Sequence, residues 1–415
     1  MKDSGIKWIG KVPENWEIKK YKIFAVSGMG KTILKEDLAY TGIPVYSATQ
    51  DDAIFGYIDD SNLQLKKGDL IIPARGNSIG HSYLVKEEIA TCTQTTIYSK
   101  LKNINNRFLF YCTKGLKEHW FEFDNTAIPQ ITVEQVQNNL VPTPSLFEQQ
   151  KIANFLDEKV SEIDNIIEKT KESIEGYKKY KQSLITETVT KGLNKSVEMK
   201  DSGIEYLSII PETWKILKLR HLGTLQNGIS KSGESFGFGY PFISYGDIYN
   251  NYSLLCGASG LVDSSDKERV LYSVKKGDVF FTRTSETIEE IGFASTCLED
   301  KTDAVFSGFI IRFRPRRNEL LNNYSKYYFR SDIHRRFFVK EMNLVTRASL
   351  SQELLKKLPV LIPPLNEQKE IAEYLDQKTS EIDTLIAKKE QLLSELESYE
   401  KSLIYECVTG KREVD

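Results

Sequence analysis

Met199-Lys200-Asp201-Ser202-Gly203-Ile204, near the middle of a 415-residue chain, repeats Met1-Lys2-Asp3-Ser4-Gly5-Ile6 without a change. Pro211-Glu212-Thr213-Trp214 repeats Pro13-Glu14-Asn15-Trp16 at the same displacement, 198 positions. Six identical residues in a row mark a duplication. Further along, Lys66-Lys67-Gly68-Asp69 matches Lys275-Lys276-Gly277-Asp278 at a shift of 209, so the second copy carries insertions. Glu148-Gln149 then matches Glu367-Gln368 at 219, and that offset holds through Ser161-Glu162-Ile163-Asp164 against Ser380-Glu381-Ile382-Asp383 and Val189-Thr190 against Val408-Thr409. A period near 200 is far above the ~20–50 residues of solenoid repeats. The chain is a duplicated domain in which one part of each copy diverges and the other keeps its register.

The register-keeping part reads as a long helix. Pro142 and Pro144 precede it in the first copy and Pro363-Pro364 in the second, each followed by a polar first turn, Glu148-Gln149 and Glu367-Gln368. Val160, Ile163, Ile167, Ile174, Tyr177 and Leu184 fall on a heptad seam if Thr170 and Lys181 fill its gaps, and Leu375, Ile382, Ile386, Leu393, Leu396 and Leu403 share the frame in the second copy. Gly192 and Gly410 end the two helices as C′ glycines should. One such segment is ordinarily a solvated surface helix. Two matched seams each need an apolar partner, and each supplies the other's. Copies related by a two-fold axis would pair these helices antiparallel. From about Ser161 to about Lys191, at ~1.5 Å per residue, each helix would be roughly 45 Å long.

The diverging parts, roughly 17–144 and 215–363, read as α+β. Gly68-Asp69-Leu70-Ile71-Ile72, Gly277-Asp278-Val279-Phe280-Phe281 and Phe309-Ile310-Ile311-Arg312-Phe313 are short apolar runs with turn residues around them, and helical pieces are expected near Phe108–Lys117 and Asn323–Val339. The expected fold is therefore α+β, with two repeated domains, each followed by a long helix, and the two helices pairing as an antiparallel coiled coil. The expected boundaries are 1–144 for the first domain, 145–193 for the central helix, 194–363 for the second domain and 364–415 for the C-terminal helix.

Composition narrows the class. Hydrophobic residues at 40%, charged residues at 27% and aromatics at 11% are those of a soluble globular protein, and the length suggests about 2.8 domains. With 56 Lys+Arg against 58 Asp+Glu the net charge is −2, which at first argues against nucleic acid. Locally it is otherwise: from Arg312 to Arg347 ten basic residues face three acidic ones, a net of +7, interleaved with Tyr324, Tyr327, Tyr328, Phe329, Phe337 and Phe338. Such density reads as a phosphate-facing surface, against the plainer alternative of a solvated basic face, while aromatics at helical spacing read as core. Five scattered cysteines and four histidines form no CxxC pair and suggest reduced thiols without a zinc site. The N-terminus lacks a signal-like apolar stretch and no run approaches ~18 apolar residues, so a cytoplasmic location and no membrane are expected.

Three motifs invite over-reading. Gly28-Met29-Gly30-Lys31-Thr32 resembles a phosphate-binding loop, yet at the repeat shift Lys31 falls on Ile229 and only Gly30 keeps its partner, Gly228, so a turn explains it. Ser235-Phe236-Gly237-Phe238-Gly239 resembles a loop that holds S-adenosylmethionine, but the catalytic Pro-Pro-aromatic motif is missing, because Pro363-Pro364 is followed by Leu365-Asn366. A surface turn suffices. Asp157-Glu158-Lys159 is no nuclease cluster without a second carboxylate, and first-turn helix chemistry is the expected explanation.

Two loops follow equivalent strands. Arg75, Asn77, Ser78 and His81 lie in one, and Arg283, Thr284 and Ser285 in the other. Arginine on guanine and asparagine on adenine are the bidentate pairings that read base edges. Gln130, Arg335 and Arg347 complete the candidate DNA contacts. An ordinary turn is the alternative for each loop.

Ile6-Lys7-Trp8-Ile9-Gly10-Lys11-Val12-Pro13-Glu14-Asn15-Trp16, Pro144-Ser145-Leu146-Phe147-Glu148-Gln149-Gln150-Lys151-Ile152-Ala153, Pro363-Pro364-Leu365-Asn366-Glu367-Gln368-Lys369-Glu370-Ile371-Ala372 and Val408-Thr409-Gly410-Lys411 together resemble the DNA specificity subunit of type I restriction-modification systems. The resemblance runs through the whole chain in the family's order. It implies a non-catalytic subunit with two target-recognition domains, each reading half of a bipartite, asymmetric site in double-stranded DNA. It also implies a helical ruler between half-sites. Glu148, Gln149, Ile163, Ile167, Leu184, Glu367, Gln368, Ile382, Ile386 and Leu403 would form the spacer and docking surface. Two modification subunits would bring S-adenosylmethionine and methylate adenine. Restriction subunits would bring the ATP- and Mg-dependent motor and nuclease, leaving no cofactor or metal in this chain. The competing class is a stand-alone methyltransferase or nuclease, which the missing motifs disfavour. A scaffold without nucleic acid would leave the basic stretch without a purpose.

Overall fold

The computed structural model describes residues 1–49, 53–121, 130–254, 260–285, 291–341 and 348–414. It divides into two compact units: Met1–Glu172 with Lys389–Asp415, and Ser173–Lys388.

In the first unit the hairpin Lys2–Asp3 and Lys11–Val12 leads into a four-stranded antiparallel sheet. Its order is Ala25–Met29, Thr96–Leu101, Leu70–Pro73, Tyr83–Leu84, with Ser99 opposite Ser27 and Ile97 opposite Ile72. A second sheet orders Gly56–Ile58, Ile43–Tyr46 and Thr91–Cys92. Lys66-Lys67-Gly68-Asp69 turns the chain into the first sheet: Asp69 accepts the Lys66 N–H at 2.8 Å through its carboxylate, and Gly68 sits at φ +90°. The helices Asn106–Gly115 and Lys117–Trp120 follow.

The second unit repeats this plan. Its four-stranded sheet runs Gly223–Asn227, Ile310–Pro315, Val279–Thr282, Ala294–Thr296, and its three-stranded sheet Gly260–Val262, Phe236–Ile243, Val305–Phe306. Lys275 and Asp278 rebuild the same turn at 2.8 Å. Helices Tyr245–Asn250 and Asp266–Leu271 fall in the interval where the repeat shift grows from 198 to 209, so they account for the inserted residues. Asn322–Tyr328 and Ile333–Glu341 divide the helical stretch expected near Asn323–Val339 into two.

The central helix spans Leu146–Lys191, 46 residues, and the C-terminal helix Leu365–Val408, 44 residues. At 1.5 Å per residue they are about 69 and 66 Å long, not the 45 Å expected from the seam alone. The helix begins before the seam because Ser145 and Glu148 close a capping box: Glu148 N–H donates to Ser145 Oγ at 3.3 Å and Ser145 N–H to Glu148 Oε2 at 3.1 Å. Gly192 and Gly410 stop the helices at φ +75° and +69°. Asp157 is thus the twelfth helical residue, which overturns the first-turn explanation.

In each unit the early part of one helix packs in the same core as the late part of the other, as an antiparallel pair. In the first unit Ile152, Leu156, Val160, Ile163 and Ile167 share a core with Leu403, Ile404, Cys407 and Val408, with Leu393 and Leu396 at its margin. In the second, Ile185 and Val189 join Ile371 and Leu375. There Lys181 Nζ meets Asp383 at 2.7 Å while Gly192 lies beside Glu367, so residue numbers rise on one helix as they fall on the other. Thr170 and Ile174 are buried on the seam as expected, but Leu184 is half-exposed and Ile185 takes the buried place. A straight helix drifts ~20° per heptad against a 3.5-residue repeat, and over these turns that drift moves the seam by one residue. Ile382 is buried and Ile386 half-buried.

Candidate functional site

The doubled Glu-Gln motif fixes where each sheet domain meets its helix. Gln149 is buried: its Nε2 donates to Pro144 O at 3.0 Å, and its Oε1 accepts the Asn105 N–H at 2.9 Å. Gln368 repeats the pattern, donating to Pro363 O at 2.9 Å and Glu319 O at 2.8 Å and accepting the Leu321 N–H at 2.8 Å. Glu148 accepts Trp16 Nε1 at 3.4 Å and Glu367 accepts Trp214 Nε1 at 2.9 Å, which ties the Pro-Glu-x-Trp repeats to the helix starts. Asp157 accepts the Tyr111 hydroxyl at 2.8 Å and pairs with Arg107, as Asp376 accepts the Tyr327 hydroxyl at 2.6 Å and pairs with Lys326. These polar repeats hold each unit together, and the buried glutamines present no side chain to a partner.

The two loops leave the sheets at equivalent points, but their arginines are not equivalent. Ala74 N–H donates to Thr95 O and Ile131 N–H to Ala74 O, just as Arg283 N–H donates to Phe309 O and Leu350 N–H to Arg283 O. Arg283 therefore stands where the first copy has Ala74, and Thr284, paired with Ser349, stands where it has Arg75, paired with Gln130. Arg75, Asn77, His81 and Gln130 are exposed; Ser78 is buried, its Oγ donating to Ala48 O at 2.9 Å. The guanidinium groups of Arg75 and Arg283 make no hydrogen bond or ion pair among the described residues. Ser285 contributes backbone to the short strand Thr284–Ser285, and Arg347 lies outside the described residues.

Lys117, Lys114 and Lys401 gather around His81. Burial first, then their charges, hold its imidazole below the ordinary value, so it is neutral at pH 7 amid a cationic cluster. Sequence reading missed Lys401 because 320 positions separate it from His81.

The basic stretch is not the uniform phosphate-facing surface expected of it. Arg314 clasps the buried Asp278 through two contacts of 2.6 and 2.5 Å, and Arg312 donates to Ser273 O at 2.5 Å and to Gln226. Arg330 donates to Tyr249 O at 2.5 Å and lies over the Phe293 ring at 4.4 Å; Lys326 pairs with Asp376. Arg335, half-buried, lies over Phe293 at 4.6 Å. Arg316, Arg317, Arg336 and Lys340 remain exposed. The aromatics are core, as expected.

Two of the second unit's concavities bear on the comparison between copies. One, about 810 Å³, lies between the central helix and the Met199–Pro211 hairpin beside Thr186, Tyr206 and Arg336. In the first unit the residue equivalent to Thr186 is Tyr405, whose hydroxyl donates to Trp8 O at 2.5 Å while Trp8 stacks on His119 at 4.9 Å. The other, about 360 Å³, adjoins Arg283 and Thr284 and is walled by Phe236, Phe242 and Phe309. Among the described residues no cluster of three or more His, Cys, Asp or Glu is placed to hold a metal, and no helix is long and apolar enough to cross a membrane.

A family model described as the type I restriction modification DNA specificity domain matches residues 13–176 and 211–395. The MjaVIII specificity subunit of Methanocaldococcus jannaschii is 26% identical over 97% of this chain and 94% of its own length. A chain solved in work on complex assembly and conformational transition of the type I R-M system superposes with a TM-score of 0.74 at 16% identity, covering 97% of this chain and all of that one. The HsdS subunit of Thermoanaerobacter tengcongensis gives a TM-score of 0.53 at 16% identity over 99% of this chain and 100% of its own.

Proposed function

Since the chain belongs to the type I restriction-modification DNA specificity family and is a DNA sequence-specificity subunit, we propose that residues 1–144 and 194–363 each read one half of a bipartite, asymmetric double-stranded site. The observation that carries this is the pairing of an invariant frame with variant chemistry. The same sheet order and the same loop hydrogen bonds present Arg75 and Gln130 in one unit and Thr284 and Ser349 in the other. Two half-sites of different sequence need that arrangement. Arg75 and Asn77, which are exposed, would read base edges in the first half-site and the half-buried Arg283 and Thr284 in the second, because donors beside a rigid sheet suit the bidentate pairings of the major groove. Lys117 and Lys401 would contact phosphates.

The long helices would set the distance between half-sites and, through their exposed faces, dock two modification subunits. Restriction subunits would complete the assembly in the cytoplasm. S-adenosylmethionine, ATP and Mg would be bound by those partners, and this chain alone would be non-catalytic. The test is a gel shift with the chain assembled with its modification subunits. Arg283→Ala and Arg75→Ala should each weaken binding to the cognate duplex by about 10- to 100-fold, leaving binding to a scrambled duplex within about threefold. Unchanged specific binding removes the residue from the readout.

A further inference from the structure

Phe309, Phe238 and Phe236 are 63%, 54% and 39% exposed, all in the second unit. Phe238 stands at the tip of a β-bulge, where Phe236 and Tyr240 both oppose Val262 and Gly237 and Gly239 adopt φ of +97° and +91°. Phe236 meets Phe242 edge-on at 5.2 Å, and these two rings with Phe309 wall the 360 Å³ pocket. Arg283 and Thr284 form its polar edge.

The first copy shows what this place is made of elsewhere. The bridge Lys31–Thr93 corresponds to Ile229–Ser307, and Gln94 N–H donates to Lys31 O at 2.7 Å as Gly308 N–H does to Ile229 O. Lys31, Gln94 and Thr95 thus stand where the second copy has Ile229, Gly308 and Phe309. Thr32 Oγ1 donates to Gln94 Oε1 at 2.8 Å, and the Thr93 and Thr95 hydroxyls share a 2.7 Å hydrogen bond. One copy presents hydrogen-bonding groups at this point, and the other presents hydrocarbon rings next to a guanidinium that has no hydrogen bond or ion pair among the described residues. Rings have no donors or acceptors with which to tell one base edge from another. In the major groove the one apolar mark is the thymine C5-methyl, while the guanidinium beside the rings favours the polyanion over an apolar protein surface.

We propose that the Phe236–Phe242–Phe309 pocket receives the C5-methyl edge of a thymine, so that the second half-site is read in part by apolar contact. This rests on the reading that the variable loops contact DNA. The experiment uses the chain with its native partner subunits and the target defined by methylome sequencing, with every thymine of both strands replaced in turn by deoxyuridine. One position in one half-site should bind about fivefold more weakly or worse, the loss expected for one buried methyl. Phe309→Thr, which installs the first copy's residue at an exposed position, should bind thymine and uracil duplexes equally.

The inference falls if no thymine responds or if the response survives Phe309→Thr. It falls also if the responding thymine becomes reactive towards permanganate on binding, since the pocket would then hold an unstacked base. A wild-type complex that separates cognate from scrambled duplex without any uracil effect overturns this inference alone. One that fails to separate them overturns the functional reading beneath it.

Discussion

His334 is buried, with a ring nitrogen 2.9 Å from Tyr328 O and its imidazole 4.8 Å edge-on to Tyr328. Burial pushes its pKa down to about 3, against an ordinary 6.5. The unfolded chain therefore takes up a proton first as pH falls. Stability from the neutral ring is complete above about pH 6.5 and is lost progressively towards pH 3. Between pH 7 and 4.5 it should account for about 2–3 kcal/mol. Urea denaturation at both pH values tests this: His334→Phe should lose less stability on acidification than the parent, and an equal loss would show that the histidine is not the titrating group. The same neighbourhood shows why the basic stretch was misread from sequence. Arg312, Arg314 and Arg330 find Ser273, Asp278 and Tyr249, partners 36 to 81 positions away. Charge density is visible in a sequence; its neutralisation by a distant carboxylate or carbonyl is not. The off-by-one placement of Arg75 and Arg283 was hidden for a related reason, since the face a strand residue takes depends on its pairing partner.

At the scale of elements, both helices were legible because their boundaries are written in local chemistry: Ser145 and Glu148 at one start, Pro364 at the other, and Gly192 and Gly410 at the ends. The seam was legible only while the heptad held. Beyond Lys181, whose ammonium reaches Asp383, the buried stripe passes to Ile185 and Val189, and Leu184 turns half outward. Alanine substitution separates the two registers. Ile185→Ala should cost about 2–4 kcal/mol because a fully buried side chain leaves a cavity, whereas Leu184→Ala should cost under about 1.5. Equal costs by chemical denaturation would return Leu184 to the seam. The repeated glycines Gly30 and Gly228 belong to this scale as well. A Cβ would lie 2.2 Å from Thr93 O at Gly30 and 2.2 Å from Phe306 O at Gly228, so close backbone approach explains a glycine that resembled part of a phosphate-binding loop.

For the whole molecule, the net charge of −2 takes on a different meaning once the buried arginines are subtracted from the basic stretch. Lys114 is paired with Glu400 at 2.8 Å, so cations remain at a few places, Lys117 and Lys401 beside His81 among them, and on the proposed reading partner subunits supply much of the electrostatic grip on DNA. What this chain contributes is choice of sequence and, on the proposed reading, spacing. Spacing can be tested because the helices run antiparallel. Burial first, and then the nearby Glu400 carboxylate, raise the pKa of Asp164; with Asp164 beside Glu400, Asn165–Lys171 of the central helix is matched by Leu393–Tyr399 of the C-terminal helix. Deleting both heptads keeps the seam in phase and removes about 10 Å, close to three base pairs at ~3.4 Å each. Methylome sequencing of a host carrying the doubly deleted subunit should show the same two half-sites separated by about three fewer base pairs. Deleting only Asn165–Lys171 leaves the seams unequal and should abolish methylation. A doubly deleted subunit that methylates sites of unchanged spacing would show that the helices do not set the distance.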